Sequence, residues 1–180
     1  MSKPTSPEPV KLISSVFSGS RDILNETVTI LSKEYGEPDY ISAVVPFEYT
    51  DYYTKESGNS LVRRFISFEE LVLPDTLPDI KLFTNRVEEQ HMIDGKRRVN
   101  IDPGYISRAH LILATGKAYT HRPYLRDGIY ADLTLIFVKH TFTSLEWTYP
   151  DYSDKSMIMM FNNIRKRYTI QVQGLGNAHP

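Results

Sequence analysis

The chain has 180 residues, of which 41% are hydrophobic and 24% charged, and these values suit one globular domain better than a disordered chain or a coiled coil. Its 21 basic and 22 acidic residues leave a formal net charge of −1, so no overall field attracts nucleic acid or an anionic membrane, and we expect neither as a partner. The absence of cysteine excludes disulfides, thiolate metal sites and a cysteine nucleophile.

Composition divides the chain into one domain and two tails. Residues 1–9 are rich in Pro and Ser, and residues 171–180 have a similarly loose composition, so we predict flexible tails around a single domain at 10–170. The first residues contain no apolar stretch of signal-peptide length, and the apolar runs elsewhere are too short to span a bilayer. These features predict a cytoplasmic protein.

The first part of the chain alternates strand-like and helical patterns. Residues 10–17 are β-branched and of strand length, and apolar residues at helical spacing follow between a capping Ser20 and a terminating Gly36. Residues 40–47 and 61–68 predict two further strands. The chain is therefore expected to begin β, α, β.

A second helix is predicted after residue 75, with Asp75 or Asp79 at its start, and a strand follows at 96–102. Residues 105–114 have two readings: their β-like composition favours a strand, whereas the Asp102-Pro103 pair would also suit the start of a helix.

The last part of the chain is rich in β-like segments. We predict strands at 110–115, 118–125 and 129–138, with Asp127-Gly128 as a hairpin turn, and a final helix capped by Ser153. Strands mixed with two to three helices predict an α+β fold with a mixed or antiparallel sheet. We expect a ferredoxin-like βαβ start extended by antiparallel hairpins.

Four polar and aromatic clusters are candidates for a binding site. The first is PFEYTDYY at 46–53, where Tyr49 and Tyr52 can stack on a flat or sugar-like ligand while Asp51 accepts hydrogen bonds from its hydroxyls. The alternative is that these tyrosines only pack over a sheet edge. The sequence leaves both open.

The second cluster is GKRRVNIDPGY at 95–105. Arg97 and Arg98 belong to a charge run that is typical of a solvated edge strand, yet Asn100 and Asp102 alternate onto one face of the same strand. A carboxylate beside an arginine can hold a metal-bound phosphate or a sugar hydroxyl. Asp102 is therefore a candidate for a functional role.

The third and fourth clusters are THRPYLRDGIYAD and WTYPDYSD. His121 beside Arg122 suits anion binding and acid or base catalysis, although a lone histidine is often structural, and Asp127 lies nearby in the sequence. Tyr149 and Asp151 repeat the aromatic and acidic composition of the first cluster, with helix capping as the plainer reading of the aspartate. The recurrence suggests one shared pocket rim.

Familiar catalytic motifs are missing from the sequence. Ala-Thr-Gly-Lys at 114–117 lacks both the earlier glycine and the following hydroxyl of a phosphate-binding loop. The GxGxxG, HExxH and GxSxG patterns are absent as well.

Several motifs together resemble a known family. PFEYTDYY, RRFISFEEL, IKLFTNRVEEQ, GKRRVNIDPGYI, THRPYLRDGIYADLTL and LEWTYPDY, in this order and spacing, resemble the bacterial family DUF4416, whose function is not established. The resemblance covers residues 11–168. A fainter likeness to hydroxymethylpterin pyrophosphokinases implies a ferredoxin-like fold with magnesium on two aspartates of one strand, but Asn100 stands in place of one of them.

The clusters predict one pocket for a small polar ligand that is phosphorylated or nucleotide-like. Arg97, Arg98 and Arg122 would neutralise the anion, and the tyrosines and aspartates would stack, hydrogen-bond or hold Mg²⁺. If the protein is an enzyme, which the sequence leaves open, His121 and Asp102 are the catalytic candidates and phosphoryl transfer or hydrolysis is the expected class. The alternative is a protein interaction module or homodimer in which the aromatic segments form the interface.

Overall fold

A computed structural model describes residues 1–46 and 61–176 of the chain. Within these residues it contains four helices, a nine-stranded sheet and a separate two-stranded sheet, so the predicted α+β class is confirmed. Tyr49, Asp51 and Tyr52 of the first candidate cluster lie outside the described residues.

The strands are β1 Val10–Ser18, β2 Pro38–Ile41, β3 Val45–Pro46, β4 Val62–Val72, β5 Met92–Ile93, β6 Lys96–Arg97, β7 Val99–Ile106, β8 His110–Thr115, β9 Tyr124–Arg126, β10 Ile129–Val138 and β11 Thr141–Ser144. The helices are α1 Arg21–Tyr35, α2 Leu77–Gln90, α3 Pro150–Ser153 and α4 Lys155–Gly176. None of these helices is long and apolar enough to cross a membrane.

The sheet combines a ferredoxin-like half with an antiparallel extension. The order β7-β1-β4-β2, in which every neighbouring pair is antiparallel, joins the elements β1, α1, β2, β4, α2 and β7 as a split βαβ arrangement. Strands β8, β10 and β11 then continue the sheet beyond β7. This is the predicted ferredoxin-like start with added hairpins.

Alternation along the strands builds a core on each face of the sheet. Leu12 and Val16 of β1 pack with residues of α1 and α2, whereas Ile13 packs with residues of α4. The Ser20 side chain accepts a hydrogen bond from the Ile23 N–H at 3.4 Å, as expected for the cap of α1.

Several element predictions are corrected in detail. The strand expected at 40–47 is two short strands, β2 and β3, and of residues 118–125 only the last two belong to a strand. Residues 105–114 are β7 and β8 with their turn, so the strand reading holds. The predicted hairpin at Asp127-Gly128 is confirmed, with Ile129 opposite Arg126.

The start of the last helix is also corrected. Ser153 does not cap it, because this residue belongs to α3 and its hydroxyl donates to the Pro150 carbonyl at 2.8 Å. Asp154 takes the capping position, since its carboxylate accepts the Ser156 N–H at 2.8 Å. Helix α4 continues to Gly176, and the division of the chain into a domain and two tails stays a prediction.

Candidate functional site

The extended sheet splits between β7 and β8. The two strands pair only where Gly104, Tyr105 and Ile106 face residues 111–113 of β8, and the first half of β7 has no partner on that side among the described strands. A Cβ atom on Gly104 would lie 2.3 Å from the Ile112 carbonyl oxygen, so glycine lets the strands meet at this point. The split forms a cleft that opens towards Asn100 and Asp102.

Side chains of α2 bond the edge of β7 that no described strand pairs with. Lys81 Nζ donates to the Ile101 carbonyl at 2.8 Å, and Glu88 Oε1 accepts the Ile101 N–H at 2.7 Å. Both side chains are almost fully buried, and their charged atoms are 3.9 Å apart. Burial raises the pKa of the Glu88 carboxyl, while Lys81 acts in the opposite direction. The helix thus satisfies the main-chain groups that a neighbouring strand would otherwise bond.

The described residues enclose a cavity of about 450 Å³ at this split, a size typical of small-molecule sites. Its lining comes from both sheet halves, from α2, from the connection between β8 and β9, and from α3 with the residue that precedes it. Five basic side chains and four carboxylates contribute to this lining: Arg63, Lys81, Arg97, Lys117, Arg122, Glu88, Asp102, Asp132 and Asp151.

A buried arginine forms one wall. Arg63 of β4 donates to Asp151 and, through Nε, to the Ser15 hydroxyl at 2.6 Å, and its guanidinium lies against the rings of Phe65 and Tyr152. Burial acts to lower the pKa of Arg63, but the neighbouring Tyr152 and Asp151 outweigh it and raise the pKa. Arg63 therefore ties α3 to the sheet.

A second arginine forms the opposite wall. Arg122 donates to Asp132 at 2.8 Å, to the Tyr149 hydroxyl at 3.1 Å and to the Lys117 carbonyl at 3.2 Å. Burial alone would lower the pKa of Arg122, but Tyr149 and Asp132 raise it. These bonds hold the segment between β8 and β9 over the cavity and bring the backbone of Lys117 to its mouth.

Asp102 lies between these walls. Asn100 Nδ2 donates to Asp102 at 3.0 Å, so the two side chains share one face of β7 as predicted. Arg97 lies beside them, 3.3 Å from Asn100 Oδ1 and 3.4 Å from Glu88. Among the described residues Asp102 makes no ion pair, although Arg63 is near enough to interact with it electrostatically.

The cavity brings together six residues that the sequence singled out: Arg97, Asn100, Asp102, Arg122, Tyr149 and Asp151. Asp127 is not among the lining residues; it occupies the β9–β10 turn and pairs with Arg126 at 2.8 Å. Arg98 also lies outside the described lining, and its carbonyl accepts a hydrogen bond from Ser18 at 2.6 Å. The functional roles of all these residues stay predictions.

His121 lies behind the cavity wall. Its ring stacks on Trp147 with centroids 4.9 Å apart, and Nε2 is 3.8 Å from the Asp132 carboxylate. His121 is not one of the described lining residues, and its buried Nε2 makes no hydrogen bond to a described residue. Its predicted role as an acid or base stays a prediction.

Sequence reasoning missed Arg63, Lys81, Asn85, Glu88, Lys117 and Asp132. Two signals were available. Lys81, Asn85 and Glu88 lie at helical spacing on one side of a predicted helix. Arg63 and Phe65 are two residues apart in a predicted strand, so they share one face of it. Within the described part of the chain, no three Asp, Glu or His side chains are grouped as metal ligands would be.

Comparison with known proteins identifies the family. Residues 8–168 match the model of DUF4416, a domain of unknown function. Because the match covers most of the chain, the chain belongs to this family, and the resemblance found in the motifs is confirmed. No curated protein and no solved structure matches the chain.

Proposed function

We propose that this member of the DUF4416 family binds a small phosphorylated molecule in the cavity between β7 and β8. The observation that carries the proposal is the convergence of five basic residues, from β4, α2, β6 and the connection between β8 and β9, on a cavity of about 450 Å³. Arginine and lysine side chains are the groups that most often bind phosphate in proteins, which is why this lining suits a phosphorylated ligand.

The position of the anion follows from burial. Arg63 and Lys81 are deeply buried and matched by Asp151 and Glu88, and Arg122 is matched by Asp132. Arg97 shares Glu88 with Lys81 and its side chain is 36% exposed, and Lys117 is exposed at the mouth. We place the phosphate at the mouth, beside the more exposed residues Arg97 and Lys117, because its desolvation costs least there.

Binding is tested by thermal shift and then calorimetry on the full chain, with inorganic phosphate, pyrophosphate, sugar phosphates and nucleotides, each with and without Mg²⁺. A ligand at a hundred times its dissociation constant adds about 2.7 kcal/mol to the free energy of unfolding. We expect Arg97→Gln and Lys117→Gln each to weaken the best binder by about tenfold, the effect of losing a charged hydrogen bond.

The matched control is Lys33→Gln, which removes the same charge from an exposed position on α1. Because this site is remote from the cavity lining, affinity should stay unchanged. Absence of binding to every phosphorylated probe, or equal weakening in Lys33→Gln and in the two cavity variants, would contradict the proposal.

Turnover is a separate part of the proposal. We propose to test phosphoryl transfer or hydrolysis in the cytoplasm. His121 does not line the cavity, so it would act on the ligand through Asp132. Incubation of a bound phosphate ester with the protein and Mg²⁺, followed by phosphate release, measures it. If the protein binds the phosphate ester but releases no phosphate in several hours, it is a binding protein and does not hydrolyse this ester.

A second candidate is an interaction surface. Tyr119, Tyr124, Trp147 and Tyr149 are large aromatic residues that are 40% or more exposed, and such residues are common at protein interfaces. Light scattering tests the homodimer version, and a monomeric mass at high micromolar concentration would argue against it.

A further inference from the structure

The connection between β8 and β9 is attached to the sheet at its two ends. Thr115 is opposite Tyr130 in the register, and the Pro123 carbonyl accepts the Ala131 N–H at 2.9 Å, so both ends meet adjacent residues of β10. We call the residues between these ends, 116–122, the flap. Because its ends lie side by side on one strand, the flap can move as a unit without a change in the register of the sheet.

Two side chains attach the flap to the sheet, and both approach the same carboxylate. Residues 116–120 are exposed, whereas the side chains of His121 and Arg122 are only 11% and 7% exposed. Arg122 Nε donates to Asp132 at 2.8 Å, and His121 Nε2 lies 3.8 Å from the other oxygen of that carboxylate. Arg122 also donates to the Tyr149 hydroxyl at 3.1 Å. Asp132 is therefore the residue of the sheet at which both attachments meet.

The flap is held by polar contacts and not by an apolar core. None of residues 116–122 is buried, and the Arg122 N–H donates within the flap, to the Tyr119 carbonyl at 3.0 Å. Segments with few buried apolar contacts open at a much lower free energy than the whole domain unfolds. Gly116, Lys117 and Arg122 all line the cavity, so an opening of the flap would remove part of the cavity wall.

We propose that the flap opens by releasing Arg122 and His121 from Asp132, and that this opening gives a ligand access to the cavity. The inference rests on the proposed function, because an access route serves a cavity that binds a ligand. The opening itself needs no ligand, so it can be measured on the protein alone. Asp132 is then a positioning residue that keeps the flap closed between binding events.

Trp147 reports on the position of the flap. It is the only tryptophan of the chain, and its indole N–H donates to the Leu133 carbonyl at 2.8 Å, which ties the ring to β10. His121 of the flap stacks on this ring, with centroids 4.9 Å apart and planes at 13°. The stacked imidazole covers one face of the indole. When the flap opens, that face becomes accessible to a small quencher such as acrylamide.

The test is acrylamide quenching of Trp147 fluorescence in the full chain without ligand. His121→Ala gives the quenching constant of the uncovered indole. Asp132→Asn and Arg122→Gln remove the ion pair from opposite sides, and the loss of a charged hydrogen bond should raise the opening equilibrium constant about tenfold. Their quenching constants should therefore shift from the value of the unmodified protein towards that of His121→Ala, while circular dichroism shows the sheet intact.

The matched control is Glu8→Gln, which also removes the carboxylate partner of an arginine. Its partner Arg108 lies in the turn at the other end of β8, 2.7 Å from Glu8, so the flap should stay closed. Equal quenching in Glu8→Gln and in both flap variants, or an unmodified protein that already has the His121→Ala value, would overturn the inference. Either result leaves the proposed function intact, because that function depends on phosphate binding, which is measured separately.

Discussion

Lys81 on α2 donates to the main-chain carbonyl of Ile101 on β7 at 2.8 Å, so a helix side chain replaces a hydrogen bond that a neighbouring strand would make. The same lysine is the counter-ion of Glu88, which accepts the N–H of that residue. One ion pair therefore keeps the sheet split at the candidate site.

Lys81→Met should destabilise the fold by about 3 kcal/mol, because it leaves the Ile101 carbonyl without its donor and Glu88 without its buried counter-ion. Urea unfolding measures this change. Lys33→Met, at an exposed position of α1, should change the free energy of unfolding by less than about 0.5 kcal/mol. A similar loss in both variants would show that the buried pair is not the cause.

Gly104→Ala should destabilise the protein by at least about 2 kcal/mol, because the new Cβ would meet the Ile112 carbonyl and force β7 and β8 apart. Gly174→Ala is the control, since a Cβ at that position in α4 meets nothing within 4 Å. There alanine should stabilise the helix by up to about 1 kcal/mol. Unchanged thermal stability of Gly104→Ala would refute the close approach of β7 and β8 at this residue.

Asp151→Asn should cost about 3 kcal/mol, because it leaves the buried guanidinium of Arg63 without its carboxylate partner. Asp94→Asn makes the same chemical change on the surface and should be nearly neutral. Because Asp151 anchors α3, ligand affinity should fall together with stability. Comparable urea midpoints for the two variants would be inconsistent with the buried pair.

Glu88 should give the stability a characteristic pH dependence. Its pKa is raised on folding by burial, so above the ordinary glutamate pKa the folded state holds this proton more tightly than the unfolded state does. The free energy that Glu88 contributes therefore decreases as the pH rises from the unfolded pKa through the folded pKa.

In Glu88→Gln this titration is absent. The difference in unfolding free energy between the unmodified protein and Glu88→Gln should consequently decline with rising pH across that window. Parallel denaturant titrations from pH 4 to pH 8 measure it. A difference that grows with pH would mean that the Lys81 pair, and not burial, governs the Glu88 carboxyl.

Local patterns predicted much of the fold. The alternation in β1, the Ser20 cap of α1 and the Asp127-Gly128 turn all act within a few residues, so they could be recognised in the sequence and are found in the structure. Asn100 and Asp102 were placed on one face by the same alternation. The prediction that Ser153 caps the last helix was wrong, because Asp154, one residue later, accepts the free N–H of that helix instead.

The sequence by itself determined the α+β class, most of the strands and helices, and six of the residues that line the cavity. Only the tertiary structure decided that β7 and β8 are apart on the N-terminal side of Gly104, that Lys81 and Glu88 of α2 fill the gap, and that Arg63 and Asp132 line the cavity there. The physical reason is distance along the chain. Caps and alternation depend on neighbouring residues, whereas a cavity depends on strand order and on buried charges that are paired only after distant segments meet.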